Sequence, residues 1–114
     1  MIGLFFFKMT QVSRIPLPKE KLDKIYHLFF DFISSANKES AVEAVLTEII
    51  TPTEKIMLAK RVACFYLIAK NIGLVEISRA LKLSLSTVHY FKFLYDNKPA
   101  IKTCLLYTSP SPRD

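Results

Sequence analysis

Apolar residues along the chain fall at helical spacing. Leu22, Ile25, Tyr26, Phe29, Phe30 and Ile33 recur at steps of three and four, the interval at which side chains share one face of an α-helix. Leu28 and Phe32 widen that face beyond a single stripe, so this helix is expected to pack against another chain. Pro16 and Pro18 mark an extended entry, and Pro18 suits a helical first turn. The polar run Ser34 to Lys38 reads as a turn. Val42, Val45, Leu46, Ile49 and Ile50 then carry a second helix. The sharpest boundary is Thr51-Pro52-Thr53-Glu54, where Thr51 caps, Pro52 takes the first helical position and Glu54 completes a capping box. The third helix is expected to run through roughly Lys70. Ile56, Leu58, Ala59, Val62, Ala63, Phe65, Tyr66 and Leu67 make it the central buried helix of a small all-α domain, interrupted by Lys60 and Arg61.

After Gly73 the chain reads LVEISRALKLSLSTVHYFKFLYDN. A short helix fits Leu74 to Lys82, with Ile77, Ala80 and Leu81 facing inward. Ser84 caps a second one, buried through Val88, Phe91 and Leu94 or Tyr95. Small Ser78 suits the crossing point. Two short helices joined by a three- to four-residue turn predict a helix-turn-helix over residues 74–95. In such a unit the second helix presents its N-terminal residues to the DNA major groove. The turn usually holds a glycine, because the backbone there needs positive φ; Lys82 takes that place at a modest strain cost.

Composition narrows the class. A chain of 114 residues with 51% hydrophobic positions and only 2 Gly is one globular domain and no turn-rich β-sandwich. The net charge of +6 is unevenly placed: residues 9–50 carry five basic and six acidic groups, whereas 51–72 and 73–103 each carry a net +3. The first half reads as scaffold and the second as the source of a positive field. Cys64 and Cys104 are too few for a disulfide framework, and Cys64 suits a small buried hydrophobe. His27 and His89 with one thiol give no metal-ligand spacing. With no Gly-rich phosphate loop and no activated nucleophile either, neither an enzyme nor a cofactor is expected. The apolar run Ile2 to Phe7 is too short for a signal core or a membrane span, so a cytoplasmic, non-membrane protein is expected.

Both ends stand apart. Met1 to Lys8 reads as a misread start ahead of Met9 or as a short arm, residues 1–17 forming the N-terminal segment. Cys104 to Asp114, CLLYTSPSPRD, resembles one reading frame of the transposase adapter used in sequencing libraries, codon for codon. Residues 104–114 are therefore expected to be non-native, which leaves 18–103 as the domain and its last helix cut short.

If the second helix of the pair enters DNA, Ser86, Thr87, His89 and Tyr90 occupy its N-terminal part as candidate base contacts. Lys70, Arg79, Lys82, Ser84 and Lys92 are candidate phosphate contacts, aided by the free N–H groups at the helix start. No Arg, Asn or Gln lies between Leu83 and Tyr95, so the strongest bidentate readers are missing, and specificity is expected to be either modest or carried by shape and water.

IITPTEKIMLAKRVACFYLIAKNIGLVEISRALKLSLSTV resembles the Trp repressor family, best from Ile50 to Lys92 and more loosely from Pro18 to Ile49. The resemblance implies an all-α homodimer in which the N-terminal helices and the last helix interlock between subunits. The helix-turn-helix then projects as a reading head. Pro99 falls where the family's last helix begins, with Ala100 to Thr103 as its first turn. Arg61 falls on a family arginine that lines the tryptophan pocket. Tyr90 replaces that pocket's second arginine and Phe91 a glycine. A Tyr-Phe pair fills the space an indole needs, so no tryptophan-like corepressor is expected, and Arg61 becomes a structural or interface residue. The expected function is a transcriptional regulator that binds double-stranded DNA as a homodimer. The alternative is a helical interaction or dimerisation module that has lost DNA binding.

Overall fold

A computed structural model describes residues 16–106, which form six helices and no strand. They are α1 Lys19–Ser34, α2 Glu39–Ile49, α3 Pro52–Ala69, α4 Leu74–Leu81, α5 Leu85–Asn97 and α6 Pro99–Leu105. The segment Met1 to Lys8 and the last eight residues of the adapter-like tail lie outside the described residues. Backbone contacts divide the chain into two units, Met1–Leu46 and Thr47–Asp114.

In the first unit, α1 starts one residue later than expected. Pro18, at φ −55° and ψ 147°, is the residue before the helix and not part of its first turn. Its carbonyl still accepts the Leu22 N–H at 3.0 Å. The helix buries no residue, and its wide apolar face lies open: Leu28 is 68% and Phe30 61% exposed. Tyr26 stacks on Phe30 with ring centroids 6.1 Å apart, and Phe29 tilts against Phe30 at 5.7 Å. The Ser34 and Ser35 hydroxyls donate to the Asp31 and Phe32 carbonyls, which also accept the Ser35 N–H at 3.2 and 3.3 Å.

The second unit holds the core. At the start of α3, the Glu54 N–H donates to Thr51 Oγ1 at 3.1 Å and the Thr51 N–H to Glu54 Oε1 at 2.7 Å, with Pro52 at the first helical position. The far end of α3 closes on Asn71, whose φ of 63° lets the Ile72 N–H reach back to the Leu67 carbonyl at 3.1 Å. Between these ends α3 is not the wholly buried helix that its composition predicts. Cys64, Phe65 and Ile68 are buried, whereas Ile56, Met57, Leu58 and Val62 are exposed. Ile56 and Met57 border a groove between the N-terminal half of α3 and Leu83 and Phe91.

Ile77 of α4 and Val88 and Phe91 of α5 complete the buried cluster. Leu74, Leu81, Leu94, Tyr95, Ile101 and Leu105 pack around it. Ala80, expected to face inward, is exposed. The ladder Leu74, Ile77, Leu81 already carries the inner face of α4, and Ala80 falls to its flank. α6 begins at Pro99, the position at which the resemblance implies a last helix. It runs past Thr103 through Cys104 and Leu105, the first two residues of the adapter-like tail.

The capping box gives a local test. Thr51→Ala removes one acceptor for an orphan N–H and is expected to lower the free energy of unfolding by about 1 kcal/mol, read from a urea titration.

Candidate nucleic-acid interface

α4 and α5 are joined by Lys82, Leu83 and Ser84. Such a short connection reverses the chain only if one residue enters the left-handed region, and Lys82 does so at φ 57° and ψ 47°. Ser78 locks the reversal from both sides. Its carbonyl accepts the Leu83 N–H at 3.1 Å, and its hydroxyl donates to the Leu83 carbonyl at 2.6 Å. The role of Ser78 therefore goes beyond small size at a helix crossing. Ser84 caps α5: its Oγ accepts the Thr87 N–H at 3.2 Å and donates to Thr87 Oγ1 at 2.8 Å. Ser86 Oγ lies 3.2 Å from the same Ser84 hydroxyl.

Val88 and Phe91 set the rotation of α5. The Phe91 ring packs 5.7 Å from the Phe65 ring on one side, with the Arg61 guanidinium 5.2 Å from its centroid on another. Arg61 thus rests on a core side chain and borders a groove of about 430 Å³. Of the Tyr90-Phe91 pair expected to fill that region, only Phe91 does so. Tyr90 turns outward and is 56% exposed.

Ser84, Ser86, His89 and Tyr90 are exposed on the N-terminal part of α5. Thr87 is half-buried and borders the groove with Arg61, so it is not brought onto the outward face with them. Lys92 is chelated by Asp96, with both carboxylate oxygens at 2.8 Å from Nζ. Lys70 is not brought to the start of α5. Its ammonium lies 5.3 Å from the Tyr66 ring centroid, in a cavity shared with Tyr95 and Lys102 beside the C-terminal part of α5. Arg79 and Lys82 are exposed and, among the described residues, in no ion pair.

Two residues near this face were not singled out from sequence. Lys60 borders the groove beside Thr87, and Phe93 is 58% exposed on the outer side of α5. Helical spacing held the signal for Phe93, which falls opposite Val88 and Phe91. Lys60 is reached only through the packing of α3 on α5.

Cys64 is fully buried, and desolvation pushes its thiol pKa up, which keeps it neutral. Among the described residues there is no group of His, Cys, Asp and Glu side chains suited to a metal, and no helix is long and apolar enough to cross a membrane. Comparison with known protein families, curated proteins and solved structures gives no match to the chain.

The turn yields two substitutions of opposite sign. Ser78→Ala strands the half-buried end of the turn and is expected to cost about 1 kcal/mol. Lys82→Gly relieves about 1–2 kcal/mol of left-handed strain but loosens the unfolded chain, for a net gain of about 0.5–1 kcal/mol. Urea midpoints at constant m-value read both.

Proposed function

We propose that the chain is a DNA-binding transcriptional regulator of the Trp repressor type, with α4 and α5 as its helix-turn-helix and α5 as the helix that enters the major groove. The observation that carries this reading is the start of α5. A locked three-residue turn presents Ser86, His89 and Tyr90 outward, next to the unpaired cations Arg79 and Lys82. The hydroxyl and imidazole groups suit base edges, and the cations suit phosphates. Ser84 caps the helix, and in this reading it would share a phosphate with the free N–H groups of the first turn. Lys92 joins the phosphate contacts by exchanging Asp96 for DNA, since an exposed pair of this kind holds by only about 0–1 kcal/mol.

The same reading includes a homodimer. Within its own unit α1 exposes Leu28, Phe29, Phe30 and Phe32, and within the other α3 exposes Ile56, Met57 and Val62; clustered exposed apolar side chains of this kind suit a contact between chains. A two-fold arrangement would place two α5 helices on successive half-sites. Phe91 beneath Arg61 argues for DNA binding without a tryptophan-like corepressor. The chain is proposed to act in the cytoplasm and to carry no catalytic site.

The second reading is a helical dimerisation or interaction module without DNA binding. It is favoured by the lack of bidentate base readers on α5. Fluorescence anisotropy of labelled duplex DNA separates the two. The DNA reading expects log K to fall linearly with log salt, and Arg79→Ala or Lys82→Gly each to reduce the slope by about 1. His89→Ala is expected to alter preference among sequences with little change of slope. No salt-dependent binding by the unaltered chain would leave the module reading standing.

The dimer has its own test. Sedimentation equilibrium is expected to give twice the 13.1 kDa chain mass. Phe30→Glu, which places a charge on the open face of α1, is expected to return the chain to monomer.

A further inference from the structure

The outward side of α5 is more aromatic than polar. Opposite the buried Val88 and Phe91 run Ser86, Tyr90, Phe93 and Asn97, at steps of four, three and four. Tyr90 is 56% and Phe93 58% exposed. The Asn97 amide is engaged within the helix, where Nδ2 donates to the Phe93 carbonyl at 2.8 Å. The stripe thus offers the hydroxyl of Ser86, with His89 alongside, and then two aromatic rings.

We propose that Tyr90 and Phe93 read the C5-methyl groups of thymine in the major groove. The inference rests on the DNA-binding reading and names what that surface selects. A side chain in the major groove can distinguish base pairs by hydrogen bonds or by apolar contact with the thymine methyl. The strongest form of the first route, a bidentate pair from Arg, Asn or Gln, is absent between Leu83 and Tyr95, which leaves it only single contacts from Ser86 and His89. The second needs exposed apolar surface facing the base edges, and the stripe supplies it.

Reach is adequate. At a rise of about 1.5 Å per residue, Tyr90 and Phe93 stand about 7.5 and 12 Å along α5 from its first residue, roughly two and three and a half base steps of about 3.4 Å. Charge decides between DNA and a protein as the covering partner. Arg79, Lys82 and Lys98 lie on the same helix pair and its end without an ion pair among the described residues, against Glu76 as the acidic residue not already paired there. An apolar strip bordered by unpaired cations complements a polyanion that carries methyl groups in its groove.

The test is selection from a random-core duplex pool with the full chain, followed by anisotropy on the recovered sequences resynthesised with uracil in place of thymine. The expected result is enrichment of thymine-bearing sites and an affinity loss of about fourfold for each contacted methyl removed. Phe93→Ala and Tyr90→Ala are expected to abolish the thymine-over-uracil difference while leaving the salt slope unchanged. Both side chains are surface groups, and a preserved urea midpoint verifies folding. Equal affinity for the two forms overturns the inference and leaves the DNA-binding reading intact. Failure to recover any bound duplex overturns both. If Phe93→Ala instead abolishes self-association in sedimentation with DNA binding unaltered, the stripe is a contact between copies of the chain, and the inference falls.

Discussion

The outward chemistry of α5 is fixed by what the helix buries. Val88 and Phe91 lie in the cluster formed by Cys64, Phe65, Ile68 and Ile77. Each such side chain contributes about 1.5–3 kcal/mol by leaving water. Successive residues on a helix are about 100° apart, so a rotation of α5 by one position would expose both and drive His89 or Tyr90 toward the core. The Ser78–Leu83 and Ser84–Thr87 hydrogen bonds, at about 1 kcal/mol each, refine this setting without being able to override it. The stripe from Ser86 to Asn97 is therefore a consequence of the core, and any reading of that surface inherits the core's precision.

Features carried by a few adjacent residues were legible in the sequence. The capping box at Thr51, the cap at Ser84 and the strained backbone at Lys82 all follow from local geometry, and the structure contains each. Pro18 shows the limit of such reasoning at one-residue resolution, because the helix-compatible φ of proline also serves the position just outside. Features that depend on a neighbouring helix were not legible. Ile56 and Val62 have the same apolar character as Phe65, yet only Phe65 lies under a covering helix. Thr87 and Ser86 are adjacent in sequence, and the packing of α5 on α3 turns one toward the groove and leaves the other in water. Phe93 is the exception: once Val88 and Phe91 are taken as the buried side, helical spacing already puts its ring on the outer face.

Charge behaves in the same way. A count of cations treats Lys70, Arg79, Lys82 and Lys92 as equivalent. In the structure Lys92 is held by Asp96, and Lys70 lies over Tyr66. Lys102 likewise lies 5.1 Å from the Tyr95 ring centroid. Arg79 and Lys82 remain beside the turn, where the unbonded N–H groups at the start of α5 add a partial positive charge. The local field at that end is smaller than the net charge of the region implies, and it is concentrated at one place.

The Arg61–Phe91 contact bears on how such a surface would be controlled. A guanidinium over a buried aromatic ring stabilises by about 0.5–2 kcal/mol. Phe91 belongs to α5 and Arg61 to α3, so this contact forms when α5 packs on α3 as the core sets it. A small molecule can shift the position of α5 only through a difference in its affinity for two arrangements of the helix. Here one arrangement already has the ring in place, with Phe65 on one side and Arg61 on the other. To move α5, a ligand in the adjoining groove would have to displace Phe91 from the core, against the burial energy of the ring together with its contact to Arg61. Within the DNA-binding reading, control by concentration and by assembly of the dimer is therefore favoured over control by an aromatic effector.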